Sequence, residues 1–291
     1  MKRMTRGDRF FSGTIIVALI IFSLIIIYPL YHMIIVSISN GYAVLRGEVT
    51  ILPKGINFTA YSYILTDKYI PSSYLNTIKY TFFGTLVNLV MTAICAFPLS
   101  RKRLYGRGFF TFFIAFTMFF DAGLVSNFLV VNSLGIRNTI WAIILPPAIN
   151  VWYMIIMRTF FQDIPEEMYE SAYIDGANDL AIFIRVILPL SKAVMATMLL
   201  FYAVWHWNSY LQPLIYLDDR TKYPMQLILR NIVIGADAGV YSAGSVASDS
   251  GVMGQNIKYA VVFITILPIL TVYPFVQKYF VKGVMIGSVK G

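Results

Sequence analysis

The sequence predicts an all-α polytopic membrane protein: six transmembrane helices with a structured two-helix loop between the fourth and the fifth. Three observations carry this. Six apolar runs approach or exceed the ~18–20 residues that cross a ~30 Å hydrocarbon core. Only 13% of the residues are charged and 58% are hydrophobic, whereas a soluble domain carries about 25% charged residues. Finally, 14 of the 23 Lys and Arg residues fall in four short polar stretches on one side of the implied topology, as expected for cytoplasmic segments.

The first run, Thr14–Val36, follows Lys2, Arg3, Arg6 and Arg9. It is longer than the core of a secretory signal and no small-residue cleavage site follows before Asn40, so it reads as a retained helix. Ser37–Lys79 is an expected external loop, punctuated by Asn40-Gly41, Pro53-Lys54-Gly55 and Pro71-Ser72-Ser73, with a short amphipathic helix near Tyr61–Leu65. Tyr80–Leu99 is the second span. The loop Ser100–Gly108 carries Arg101, Lys102, Arg103 and Arg107 at the membrane's edge. Phe109–Val131, the third span, contains Asp121, the one charge inside any run. Thr139–Met157 is the fourth span, Arg158–Lys192 a polar interruption and Ala193–Leu217 the fifth span. Asp218–Lys258 is the second expected external loop, with a Gly-, Ala- and Ser-rich middle, Gly235–Gly254, expected to be mobile. Tyr259–Gln277 completes the set, and a basic tail begins at Lys278.

Residues 1–291 thus read as a single transmembrane domain with both termini cytoplasmic. The net charge of +9 reads as topology and contact with anionic lipid. Nucleic-acid binding is excluded, since it needs a basic face on a soluble domain. Cys95 sits alone in an apolar run and reads as an inert buried thiol. His32 and His206 are too few for a metal site. Pro29, Pro98, Pro146-Pro147 and Pro268 lie within spans, where neighbouring helices can satisfy the freed backbone groups.

The loop Arg158–Lys192 holds most of the information. Asp163 followed by Glu166 has capping-box spacing, and Pro165 suits a first helical turn, so a short helix is expected from Pro165 to Ile174. Asp175-Gly176 ends it, because glycine accepts the positive φ of a helix stop. A second short helix follows, with Leu180, Phe183, Ile184 and Ile187 on one face, closed by Pro189. The first helix is acidic on its outer side through Glu166, Glu167 and Glu170. An amphipathic hairpin lying on lipid would be rich in Lys and Arg, so the acidic surface favours a rigid knob for a protein partner.

Glu170-Ser171-Ala172, three residues, Gly176, nine residues, Val186, one residue and Leu188-Pro189 resembles the EAA motif of bacterial ABC importer permeases. Ser171 stands for the usual alanine and Val186 for the commoner isoleucine; Asp175-Gly176-Ala177 follows the pattern. Leu75-Asn76-Thr77, Leu99-Ser100-Arg101, Leu134 to Thr139, Met157 to Phe161 and Trp207-Asn208 are similar to the carbohydrate (maltose/oligosaccharide-type) branch. Tyr273-Pro274-Phe275 through Lys290-Gly291 resembles the sub-branch for lipo-oligosaccharides, alginate oligomers or pectin fragments. Ala122 to Ser126 departs from the family by lacking a proline.

This resemblance implies a type I ABC importer permease fold in a bacterial inner membrane. It implies four partners: a second homologous permease forming a heterodimer, a dimeric ABC ATPase, an extracytoplasmic sugar-binding protein and an oligosaccharide substrate. Glu170, Ser171, Ala172, Asp175, Gly176, Ala177, Leu188 and Pro189 would couple to the ATPase. The chain has no Gly-x-x-x-x-Gly-Lys-Ser/Thr phosphate loop, so it is expected to be no enzyme and to hold no cofactor, with ATP and magnesium used by the ATPase.

Tyr202, His206, Ser209 and Tyr210 share one face of the fifth run. Polar groups inside a span usually face the bundle interior or a watery path, so this stripe is a candidate sugar route. An outer aromatic belt with Trp205 and Trp207 fits equally. Asn208 matches the family motif but lies on another face, suiting an interhelical bond, as do Asn88 and Asn150. Asp121 is either a functional carboxylate or a solvated boundary residue. Two other functions remain to be weighed. An ion-driven secondary transporter would show mid-membrane carboxylates and inverted repeats. An intramembrane hydrolase built on Ser209 and His206 would lack a supporting carboxylate.

Overall fold

The computed structural model describes residues 6–120, 122–237 and 250–288, and all regular structure among them is helical. In order the α-helices are α1 (Arg6–Ser37), α2 (Gly41–Leu45), α3 (Thr59–Thr66), α4 (Ile70–Ser100), α5 (Arg107–Phe116), α6 (Gly123–Ser133), α7 (Trp141–Ile144), α8 (Val151–Gln162) and α9 (Glu166–Ile174). There follow α10 (Asp179–Ile182), a π-helical turn (Phe183–Ile187), α11 (Leu188–Leu190), α12 (Lys192–Trp207), α13 (Leu211–Tyr216), a 3₁₀ turn (Arg220–Lys222), α14 (Met225–Asp237) and α15 (Ser250–Ser288). The chain divides into two compact units, Met1–Lys68 with Leu229–Leu267 and Tyr69–Ile228 with Pro268–Gly291.

In the first unit, α1 is apolar all round from Phe10 onward, and its most hydrophobic stretch buries nothing within the chain. Such a helix belongs in lipid or against a partner. Its hydroxyls turn back on its own backbone, Thr14 Oγ1 to Phe10 O at 3.1 Å and Ser23 Oγ to Leu19 O at 2.8 Å. Only its C-terminal end is packed. There Ile35 and Val36 meet Val49 and Tyr259. Residues 49–51 lie along α1: Tyr31 OH donates to Ile51 O at 2.6 Å, and His32 Nε2 lies 3.1 Å from Val49 O. Asn256 Nδ2, from α15, donates to Val36 O and Ser39 O.

In the second unit, α4 is the central post, packed mainly by α12 and α8. Ala93, Ala96, Met154, Met157, Met198 and Tyr202 are buried between them. Small residues on α4 let the helix backbones approach. The helix starts at Ile70, about ten residues before the expected span, with Pro71 in its first turn. Residues 221–225 fix this extension. Asn76 Nδ2 donates to Thr221 O and Tyr80 OH to Lys222 O, both at 2.7 Å, and Thr77 Oγ1 accepts Met225 N at 2.7 Å.

Several expected spans are interrupted. Phe109–Val131 divides into α5 and α6, with Gly123 at φ +77° opening α6; Asp121 lies outside the described residues. Thr139–Met157 divides into α7 and α8 at Pro146-Pro147, where the missing N–H groups break the ladder. Ala193–Leu217 divides into α12 and α13 near Asn208. Pro29, Pro98 and Pro268 sit inside continuous helices. Among the described residues, three uninterrupted helices are long and apolar enough to cross a membrane, Phe10–Ser37, Ile70–Ser100 and Gly254–Pro274, or four with the bent pair Asp179–Leu190 and Lys192–Trp207. The external loop expected over Asp218–Lys258 contains α14 and the start of α15. Of its Gly-rich middle, residues 238–249 lie outside the described residues.

Candidate functional site

The second unit holds two distinct polar clusters, the two-helix loop and a seam between α4 and α12. In the loop, α9 runs from Glu166 to Ile174 with Asp175 as its C-cap, and Gly176 takes φ +79°, the left-handed conformation that reverses the chain. Ala177 N then bonds Ala172 O at 2.9 Å, closing the turn. Asn178 caps α10, its Oδ1 accepting Ala181 N at 2.8 Å. The expected capping box does not form. Pro165 occupies the cap position in an extended conformation and makes no side-chain cap bond, while Asp163 ends α8. Glu166 instead pairs with Arg101 at 3.2 Å.

That ion pair belongs to a clamp. The Arg101 guanidinium lies 3.4 Å from the centroid of the Tyr169 ring, and Arg103 lies 5.3 Å from that of Tyr173. Tyr169 OH donates to Phe161 O at 3.2 Å, and Tyr173 OH donates to Asp179 Oδ1 at 2.5 Å, tying α9 to α10. Phe97 of α4 packs on Phe183 with ring centroids 4.8 Å apart. The Asp179 carboxylate and partial burial raise the pKa of the Tyr173 hydroxyl; Arg101 and Arg103 oppose this. Burial raises that of Tyr169 as well. The basic cluster after α4, legible only as topology in the sequence, therefore holds the loop.

The singled-out residues divide by exposure. Ala172 is buried against α8 and α4, and Ala177 and Leu188 are half-buried. Glu170, Ser171, Asp175, Gly176 and Pro189 are exposed. Beside them Ile174 is 86% exposed, a large apolar side chain with no cover in this chain. The face expected from Leu180, Phe183, Ile184 and Ile187 is split. Phe183 and Ile187 are buried and Leu180 and Ile184 are exposed, since the π-helical turn changes the angular spacing of successive residues. Between Leu190 and Lys192 the helix axis turns by 82°.

The seam places Tyr202 and His206 in the interior, 2% and 3% exposed. Tyr202 OH lies 2.6 Å from Thr92 Oγ1 and accepts Asn150 N at 3.2 Å. His206 Nε2 lies 2.6 Å from Asn88 Oδ1, and Asn88 Nδ2 donates to Pro147 O. Gly84 sits against the imidazole with no room for a side chain. These bonds join α4, α12 and the Pro146-Pro147 turn. Asn150 also caps α8 through Tyr153 N at 3.1 Å. Asn208 and Tyr210 are exposed, and Ser209 is nearly buried with its Oγ donating to Gln212 Oε1 at 2.7 Å. The predicted stripe is thus divided: its first half lies between helices, and its second half opens on a groove of about 690 Å³ that Tyr153, Phe201, Trp205, Asn208 and Gln212 also line. Aromatic faces beside amide and hydroxyl groups suit a polyhydroxylated ligand. Gly84 and Thr92 were missed in the sequence. Their spacing with Asn88, four residues apart on one helix face, is the signal that could have found them.

Comparison with known proteins supplies the context. The family described as binding-protein-dependent transport system inner membrane component matches residues 88–286. A polygalacturonan/rhamnogalacturonan transport system permease protein of Bacillus subtilis is 42% identical over 284 residues, 98% of this chain and 99% of that protein. An arabinooligosaccharides transport system permease protein of Halalkalibacterium halodurans is 25% identical over the whole of both chains. A chain in the crystal structure of a bacterial ABC transporter involved in the import of the acidic polysaccharide alginate is 37% identical. It superimposes with a TM-score of 0.85, over 96% of this chain and 100% of that one.

Proposed function

Since the chain belongs to the family of binding-protein-dependent transport system inner membrane components, we propose that it is one permease subunit of an ATP-driven importer of oligosaccharides. The observation that carries the coupling part is the loop of α9, Gly176 and α10. It is held rigid from behind by Arg101 and Arg103 and presents Glu170, Ser171 and Ile174 outward. A separate dimeric ABC ATPase receives this knob, with Glu170 facing basic groups; nucleotide and magnesium belong to that partner. A second, homologous permease completes the pathway as a heterodimer, and an extracytoplasmic sugar-binding protein delivers the substrate.

In this reading the chain crosses the inner membrane six times, as one domain with both termini cytoplasmic; α5 with α6, α7 with α8 and α12 with α13 each act as one interrupted span. The sugar route runs past the groove of Asn208, Ser209 and Tyr210, while Tyr202 and His206 hold its wall in place behind it. Asp121 is assigned no step. The permease names of the relatives and the aromatic groove support an oligosaccharide cargo.

Gly176→Val tests the coupling. A Cβ at Gly176 meets nothing within 4 Å, so the substitution acts through backbone strain, roughly 1–2 kcal/mol for a side chain in the left-handed region. Membrane insertion is expected to be normal and sugar uptake to fall, whereas normal uptake would count against the role. Glu170→Lys is expected to reduce co-purification of the ATPase, and an unchanged yield would refute the electrostatic part.

A further inference from the structure

We propose that the groove between α4 and the two-helix loop holds the acyl chain of one anionic phospholipid from the inner leaflet, with its phosphate at Arg103. The proposal rests on the cytoplasmic placement of the loop given above. The groove, about 830 Å³, runs along α4 from Leu89 to Pro98 and is walled on the loop side by Phe183, Ile184 and Leu188. Arg101, Arg103, Tyr173 and Asp179 stand at one end of it.

Length and polarity both favour a lipid. From Leu89 to Arg101 the helix rises ~18 Å at ~1.5 Å per residue, close to the depth of one leaflet of a ~30 Å core. The apolar wall therefore ends where headgroups begin. Val90, Ile94, Leu180 and Ile184 are exposed, and burying them in an acyl chain gives them the cover they lack. The charges at the mouth leave one guanidinium uncommitted. Glu166 is taken up by Arg101 at 3.2 Å, and the Asp179 carboxylate keeps its charge while accepting Tyr173 OH and forms no ion pair with Arg103. Arg103 lies over the Tyr173 ring and has no ion-pair partner among the described residues. A guanidinium so placed binds a phosphate with charge-assisted bonds. An ATPase approaching from the water would not reach Leu89.

The test uses the complete importer in nanodiscs containing phosphatidylglycerol with a photoactivatable group in its acyl chain. After illumination, cross-linked peptides are mapped, and sugar uptake is measured on vesicles of the same preparation. Labelling of residues 89–98 and 180–188 is expected to exceed that of the exposed stretch 19–27 of α1 by about tenfold, one step on the affinity scale. Ile94→Trp, which fills the groove, should bring it down to the α1 level. Arg103→Gln, at the surface, should lower it several-fold and do so less when phosphatidylcholine carries the probe. Equal labelling of the groove and α1 overturns the proposal, as does a groove cross-linked to the second permease or the ATPase. Uptake with an unlabelled groove overturns the lipid site and leaves the transport reading standing; labelling without uptake does the reverse.

Discussion

Gly84→Ala probes the seam between α4 and α12. A Cβ on Gly84 would lie 2.7 Å from His206 Nδ1 and nearer still to Cε1 and Nε2. The imidazole has little freedom to yield: Asn88 Oδ1 holds Nε2 at 2.6 Å and the Trp205 ring stands edge-on at 4.8 Å. The helices can separate, an overpacking cost of about 1–3 kcal/mol. Alternatively the His206–Asn88 bond can break, which in membrane proteins costs ~0.6 kcal/mol on average and ~1.7 kcal/mol at most. The second route is the cheaper, so the expected penalty is about 1–2 kcal/mol once the Asn88 carbonyl is left without its partner. His206→Ala removes the obstacle, and in that background Gly84→Ala should cost close to nothing. A double-mutant cycle should therefore return a coupling of about 1–2 kcal/mol. The free energies are read from reversible denaturation in mixed micelles, with retention of the purified complex on size exclusion as a check of folding. The reasoning fails if Gly84→Ala is as stable as the parent, or if it carries the same penalty with and without His206.

Two further perturbations address the loop, beside the Gly176 and Glu170 substitutions above. Arg101→Ala removes the Glu166 ion pair and the cation–π contact with Tyr169, a loss of about 1–2 kcal/mol for a largely desolvated guanidinium. Protease cleavage within residues 163–190 should accelerate, and Arg101→Lys should restore only part of the protection. The raised pKa of Tyr173 predicts an alkaline limit. Its hydroxyl keeps its proton longer in the loop than in an unfolded chain, so the contact with Asp179 is fully present below pH ~10 and is lost as pH rises through the elevated value. Hydrogen exchange of residues 172–182 should be steady from pH 7 to 9 after correction for intrinsic rates and faster above, with the step absent in Tyr173→Phe. Loosening between pH 6 and 8 would contradict this assignment.

The parts of the fold legible in the sequence were those set by local chemistry. Asp175-Gly176 announced the turn because no other residue so readily takes its φ, and α9 appears within a residue of its expected bounds. The capping box does not form because Pro165 is extended and the Glu166 carboxylate has a better partner in Arg101, 65 positions earlier. No local pattern contains that pairing. The first ten residues of α4 and the whole of α14 read as loop because polar stretches surround them; α14 is itself a short apolar helix that buries Met225, Leu227, Ile228 and Ile232. The polar groups of the α4 extension are satisfied by residues 221–225, Asn76 with Thr221 and Thr77 with Met225. The stripe from Tyr202 to Tyr210 presumes one continuous helix, whereas α12 ends at Trp207 and only its Tyr202–His206 part shares a helix face. Which way it faces depends on Asn88 and Thr92, on a helix more than a hundred residues away.

The 82° corner at Ser191 has a geometric consequence. At ~1.5 Å per residue its two limbs, Asp179–Leu190 and Lys192–Trp207, are ~18 Å and ~24 Å long. Joined near a right angle, they form a bell crank: a force on the short limb swings the long limb about the corner. A 10° turn would carry the Trp207 end through ~4 Å, more than the length of one hydrogen bond. The working end of the crank is the one next to Asn208 and Ser209. In the importer proposed above, a partner that never touches the groove would thus widen or narrow it, with an amplification set by the ratio of the limbs.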